Sequence, residues 1–230
     1  MTKHIGIVAC SAEGAALCYR TICTEAPRLM GRYAHPEVTM HTHSLADYMR
    51  AIEADDWERV AELMISSARK VASVGAEFAI CPDNTIHQAF DLAVKKSPIP
   101  WLHIAEVVAE EAKHHGYRYL GVLGTRYLME GPVYPGRLSA VGIRHRIPEK
   151  AYRSSINDII FDELVAGIFT ADSRAYFSKV ISKLKKEGCD AVVLGCTEIP
   201  LLITQKDSPL PVLDSTRLLA RAALGKAISS

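Results

Sequence analysis

Two stretches of the chain place reactive side chains directly after an apolar run. CPDNTIHQ, residues 81–88, follows Phe78-Ala79-Ile80, and LGCTEIP, residues 194–200, follows Ala191-Val192-Val193. In the first, Asp83 is either a turn-forming residue or a carboxylate that takes up a proton or holds an ammonium group. In the second, Cys196 follows a glycine at a strand end and precedes a helix start. Unpaired backbone N–H groups and the positive helix end both favour a thiolate there. Thr197 is placed to cap that helix and to offer a hydroxyl to a carboxylate. The plain alternative for Cys196 is a small buried filler, as most intracellular cysteines are.

The elements that must position these residues follow from hydrophobic period. His4 to Ala9 reads as a buried strand, and Glu37 to His43 alternates with a period of two. A helix is expected from Asp55, with Glu58 in capping-box spacing, through Val60, Leu63, Met64, Ala68 and Val71 to a stop at Gly75. Glu77 to Cys81 is the next strand. The pattern returns with a helix ended by Gly116, the strand Tyr119 to Leu123, a strand over Gly142 to Ile147, and a helix capped by Asp172 and ended by Gly188. The strand Ala191 to Leu194 follows. Strands alternating with helices predict an α/β fold with parallel sheets.

The two halves repeat. Gly75-Ala76-Glu77-Phe78-Ala79-Ile80 resembles Gly188-Cys189-Asp190-Ala191-Val192-Val193, 113 positions on (75 to 188). Ile5-Gly6-Ile7-Val8 resembles Leu120-Gly121-Val122-Leu123, 115 positions on (5 to 120). The first register sets Pro82 on Gly195 and Asp83 on Cys196. In open α/β sheets ligands bind beyond the carboxyl ends of the strands. The expectation is two similar α/β lobes related by a pseudo-twofold axis, with the active site in the cleft between them. Residues 1–100, joined by 210–230, form the first lobe and residues 101–209 the second.

Composition narrows the function classes. The 230 residues carry a formal net charge of +1 without basic runs, which argues against a nucleic-acid partner. No stretch approaches the ~20 apolar residues of a membrane span, and the start of the chain lacks a leader-like apolar region. The six cysteines form no C-x-x-C pair. A reduced cytoplasmic setting without a zinc knuckle is therefore expected. The absence of Walker A, G-x-G-x-x-G and H-E-x-x-H patterns predicts no nucleotide, flavin or catalytic zinc.

CPDNTIHQ and LGCTEIP together resemble the aspartate/glutamate racemase family, and IGIVAC, LGVLGT and PVLDST extend the resemblance over most of the chain. The family resemblance implies a two-lobed α/β fold, a homodimer, no cofactor (pyridoxal phosphate included), and a small acidic amino acid or related carboxylate as substrate. It implies that one base removes the α-proton and a second returns a proton on the opposite face. Asn84, Thr85, Thr125 and Thr197 would bind the substrate carboxylate, with Ser11 a further ligand and Arg126 the cation best placed for a second acidic group. His87 and Glu198 would support the site. The family pattern has a cysteine before Asn-Thr, whereas this chain has Asp83, so Asp83 and Cys196 become an unsymmetrical catalytic pair.

Three roles for Asp83 follow: the second base, a ligand for a substrate ammonium or hydroxyl beside a lone Cys196, or a structural turn residue. The second role suits a single-cysteine decarboxylase or cis–trans isomerase of a small diacid. A non-catalytic small-molecule binding protein is the alternative of another class. His41 and His43 lack a third ligand and read as half-buried histidines rather than a metal site. Arg50 and Glu13 read as surface and first-turn charges.

Overall fold

The computed structural model describes residues 2–229; the expected outer limits of the first lobe, Met1 and Ser230, lie outside them. The chain divides into two units, residues 1–104 with 216–230, and residues 105–215. The first unit holds β1 (Ile5–Ala9), α1 (Ala12–Glu25), α2 (Pro27–Met30), β2 (Val38–Thr42), α3 (Leu45–Glu53), α4 (Trp57–Ser73), β3 (Phe78–Ile80), α5 (Phe90–Val94) and β4 (Trp101–Leu102). The second holds α6 (Ile104–His114), β5 (Tyr119–Leu123), α7 (Arg126–Glu130), α8 (Pro135–Ala140), β6 (Arg144–Arg146), α9 (Lys150–Asp162), α10 (Ala171–Lys186), β7 (Ala191–Leu194), α11 (Ile199–Leu202) and β8 (Val212–Asp214). Helix α12 (Ser215–Ile228) returns to the first unit, where the Lys3 N–H donates to the Ala227 carbonyl at 2.8 Å.

Each unit is built on a four-stranded sheet, and every pairing is parallel. The orders are β2-β1-β3-β4 and β6-β5-β7-β8, the same path taken twice. The repeat read from sequence is present in the register itself. Gly6 pairs with Ala79 in one sheet, and Gly121 pairs with Val192 in the other. A Cβ on Gly6 would lie 2.7 Å from Val71 of α4, and one on Gly121 would lie 2.7 Å from Leu184 of α10. Both helices thus press onto the sheet where side chains are absent. Gly75 and Gly188 end those helices at φ +101° and +94°, a conformation that an L side chain resists.

Several boundaries differ from expectation for local reasons. Helix α4 is capped by Asp56, whose carboxylate accepts from the Arg59 N–H, while Asp55 turns the chain at φ +55°. Helix α10 is capped by Thr170, leaving Asp172 as a first-turn acid. The buried core of the second unit runs from Leu123 and Met129 through Ile156, Phe177 and Val192 to Ile199.

Candidate active site

Asp83 lies just beyond β3 and is 9% exposed. Its Oδ2 accepts the Cys10 N–H at 3.1 Å and its Oδ1 accepts the Ser11 N–H at 3.2 Å. Ser11 is the N-cap of α1, its Oγ accepting the Gly14 N–H at 3.3 Å. The carboxylate therefore sits on backbone donors at the entry of a 14-residue helix, a setting that favours its ionised form. These partners are 72 and 73 residues away, so the carboxylate ties the end of β3 to the start of α1.

His87 fixes the segment that carries Asp83. Its Nε2 accepts the Ile104 N–H at 3.3 Å, which leaves Nδ1 as the donor to the Asp83 carbonyl at 2.9 Å. With both ring nitrogens used and 3% exposure, His87 orients its neighbours as a neutral ring. It stacks on Phe90 and meets His103 edge-on, with centroids 5.4 and 4.8 Å away. Asn84 is buried and Thr85 half-buried at the start of the short 3-10 turn 85–89. Cys81 is fully buried, 3.7 Å from the Asp83 carbonyl, and burial followed by the charge of Asp83 holds its thiol well above the usual range. Burial and the same neighbourhood, Cys10, Cys81 and Asp83, push the Tyr48 phenol up.

Cys196 occupies the corresponding end of β7. Its Sγ donates to Oε2 of Glu198 at 2.9 Å, and the Thr197 hydroxyl donates to the same oxygen at 2.7 Å. All three residues are buried, at 8%, 3% and 3% exposure. Thr197 is not the expected helix cap: Glu198 holds that position, and no side chain caps α11. Glu198 spends its carboxylate on its two chain neighbours rather than on the helix.

The approach to Cys196 is close-packed. The Gly195 N–H donates to the Leu123 carbonyl at 2.7 Å. A Cβ on Gly195 would stand 2.5 Å from Leu128 and 2.8 Å from that carbonyl. Thr125, at the end of adjacent β5, caps α7 through the Leu128 N–H at 3.2 Å. Arg126 is exposed, its guanidinium lying over the Tyr127 ring, 5.4 Å from the centroid.

The structure thus gathers Asp83, Asn84, Thr85, His87 and Ser11 in one unit, and Cys196, Thr197, Glu198 and Thr125 in the other. It leaves Arg126, Arg50 and Glu13 exposed. Arg50 pairs with Asp47, while His41 and His43 bond to Ser67 and Ser66 at 2.9 and 3.1 Å. Among the described residues no cluster of three or more metal-ligating side chains occurs.

Two strand-end residues escaped the sequence reading: His103 after β4 and Asp214 closing β8. A repeat announces them, Ser97-Pro98-Ile99-Pro100-Trp101-Leu102-His103 against Ser208-Pro209-Leu210-Pro211-Val212-Leu213-Asp214. The hydroxyls of Ser97 and Ser208 make the same turn, donating to the Ile99 and Leu210 carbonyls at 2.8 and 2.7 Å.

The Asp/Glu/hydantoin racemase family model matches residues 7–223. A crystal structure of a candidate Asp/Glu racemase from Yersinia pestis is 32% identical, with a TM-score of 0.90 over 99% of this chain and 100% of that one. An aspartate racemase homologue from Pyrococcus horikoshii OT3 is 28% identical, with a TM-score of 0.85 over the whole of both chains. A broad-specificity amino-acid racemase of Bacillus subtilis is 23% identical over 172 residues, 74% of this chain and 73% of that protein. The chain belongs to the Asp/Glu/hydantoin racemase family.

Proposed function

We propose that the protein is an amino-acid racemase that works without pyridoxal phosphate, exchanging the α-proton of its substrate between Asp83 and Cys196. One observation carries the reading. In two sheets of identical order and register, the residues just past the corresponding strands β3 and β7 are a carboxylate and a thiol, each held by fixed hydrogen bonds. Both are proton-transfer groups, and both sit where open α/β sheets bind ligands. Asn84, Thr85 and Thr125 are proposed to hold the α-carboxylate and the enolate-like charge that develops as the proton leaves. Ser11 and Thr197 contribute less directly, one as a helix cap and the other through Glu198.

An acidic amino acid is the first substrate to test, with Arg126 as the cation for its second carboxylate. A dicarboxylate crowds negative charge against Asp83 and Glu198, and the Bacillus subtilis relative is described as broad in specificity. A panel of neutral and acidic amino acids therefore belongs in the same experiment. We propose further that the protein works as a homodimer in the cytoplasm. None of the six cysteines is in a disulfide, and no helix among the described residues is long and apolar enough to cross a membrane. Light scattering would give the mass in solution.

A second reading has its own support. Both oxygens of Asp83 accept backbone N–H groups, which weakens it as a base and suits a reaction run by Cys196 alone, such as decarboxylation or isomerisation of a small diacid. The two readings separate in D₂O. Loss of the α-proton signal with formation of the mirror image supports the Asp83–Cys196 racemase. Exchange with retained configuration, or a changed carbon skeleton, supports the single-cysteine reaction. A protein that binds amino acids but exchanges no α-proton with any of the panel refutes the racemase reading, and one that also leaves small diacids unchanged refutes both.

A further inference from the structure

We infer that Glu198 is a positioning residue that keeps Cys196 in its protonated thiol form, so that in the resting protein Cys196 is the acid of the pair and Asp83 the base. The geometry of each end points the same way. Both oxygens of Asp83 accept backbone N–H groups, from Cys10 and Ser11, and these bonds stabilise a carboxylate. Cys196 faces a carboxylate oxygen, and of the two groups sharing that hydrogen bond the sulfur is ordinarily the more basic by about four pH units, so it carries the proton. Removing that proton would set a thiolate 2.9 Å from a buried carboxylate oxygen, a like-charge contact that burial makes costly.

Thr197 takes part as the second donor to the same oxygen. Its bond disperses the Glu198 charge and so moderates the hold on the thiol. The other titratable side chains near this end of β7 are Tyr134, 3.7 Å from a Gly195 Cβ position, and Asp214 at the end of neighbouring β8. Tyr134 is pushed up by burial, offset in part by Ser215, so it stays neutral. Arg126, on the segment after β5, is exposed on Tyr127. Around Asp83 the titratable groups are Cys10, Cys81 and Tyr48, with His87 neutral, as its hydrogen bonds require. Burial and the neighbouring Asp83 raise both Cys81 and Tyr48.

This arrangement has a consequence for turnover that rests on the racemase reading. The resting protein accepts the enantiomer whose α-hydrogen faces Asp83. The proton leaves Cα for the Asp83 carboxylate, the C–H electron pair passes into the enolate-like intermediate, and the S–H bond of Cys196 breaks as its proton reaches the opposite face of Cα. The protein is left with a protonated Asp83 and a Cys196 thiolate, the disfavoured arrangement, which resets by exchange with solvent or by running backwards.

The test needs no substrate. The full-length protein is treated with iodoacetamide across a pH series, and alkylation of the Cys196 peptide is followed by mass spectrometry, which separates it from the other five cysteines. In the wild type the alkylation midpoint should lie above the ordinary thiol value of about 8.5. Glu198→Gln should lower that midpoint by about one unit, raising the rate near neutral pH about tenfold while leaving the high-pH limiting rate unchanged. Thr197→Val should move the midpoint the other way, and Glu198→Asp, which keeps the charge, should stay with the wild type. A midpoint unmoved in Glu198→Gln, or a rise confined to the limiting rate, overturns the inference, since that pattern reports exposure alone. If Glu198→Gln does not fold, a wild-type midpoint at or below the ordinary thiol value overturns it equally. Because the readout is chemical, the inference can stand where α-proton exchange is absent, and can fail where racemisation is present.

Discussion

The ends of β3 and β7 are the same place in two copies of one topology, yet they are finished with opposite chemistry. After β3, Pro82 removes the backbone donor that Gly195 supplies after β7, where the Gly195 N–H reaches the Leu123 carbonyl at 2.7 Å. The first end is then tied down through a side chain, with Asp83 reaching two N–H groups more than seventy residues away. The second is tied down through its main chain, and its side chains bond to one another. Equivalent strand ends can therefore carry an acceptor fixed by donors and a donor fixed by an acceptor. The sheet needs only that each end be anchored, and it is indifferent to which atoms do so.

Breaking the two ends separately tests that contrast. Cys196→Ala should lower inversion by about 10³-fold or more, near the upper range for loss of a general acid or base, as chiral chromatography would show, while α-proton exchange through Asp83 persists in D₂O. Asp83→Asn should cost less, about 10²-fold in inversion, with the residual exchange through Cys196 rising as the pH rises and its thiol ionises. It should also cost about 1–2 kcal/mol in urea unfolding, because an amide nitrogen then confronts one of the two N–H donors.

The packing difference gives a smaller effect of opposite weight. Gly195→Ala places a methyl group 2.8 Å from a backbone carbonyl and should destabilise by about 2–3 kcal/mol. Pro82→Ala restores a donor at the equivalent point and should cost less than about 1 kcal/mol. Similar losses at both positions would show that the two ends are anchored alike.

The smallest effect lies away from both ends. Burial, with Lys70 beside them, lowers the pKa values of His41 and His43 in the folded chain. Histidines lowered on folding bind more protons when unfolded, so their contribution is present above about pH 6.5 and is lost as the pH falls through the folded values. Replacing both by Gln should flatten the fall in Tm below about pH 6 by only about 1–2 °C, since both rings are partly exposed.

Much of this organisation was legible in the sequence because it rests on short-range rules. Glycines such as Gly75 and Gly188 stop helices wherever they occur, and Gly6 and Gly121 mark where helices press onto strands. The offsets of 113 and 115 followed from these, and they brought Asp83 into register with Cys196. The partners of those residues were not legible. Nothing local to Asp83 announces Cys10 and Ser11, because that contact depends on β1 and β3 being neighbours in the sheet. Glu198 is adjacent to the site in sequence, but a first-turn acid and a thiol partner look identical until the side chain is placed. His103 and Asp214 were missed because β4 has two residues and β8 three, too short for period to reveal.

The path of the chain sets an order of assembly on the ribosome. Residues 105–215 are an insertion between the body of the first unit and its last helix. Helix α12 supplies the carbonyl that meets Lys3, the Arg221 side chain that pairs with Glu25 at 2.8 Å, and Lys226 over the Phe78 ring. The unit begun first is thus the one finished last. The second unit emerges with its whole sheet before the first can close, and β1 waits while everything between Ala9 and Ser215 is made, about 10 to 40 seconds at typical rates, for α12.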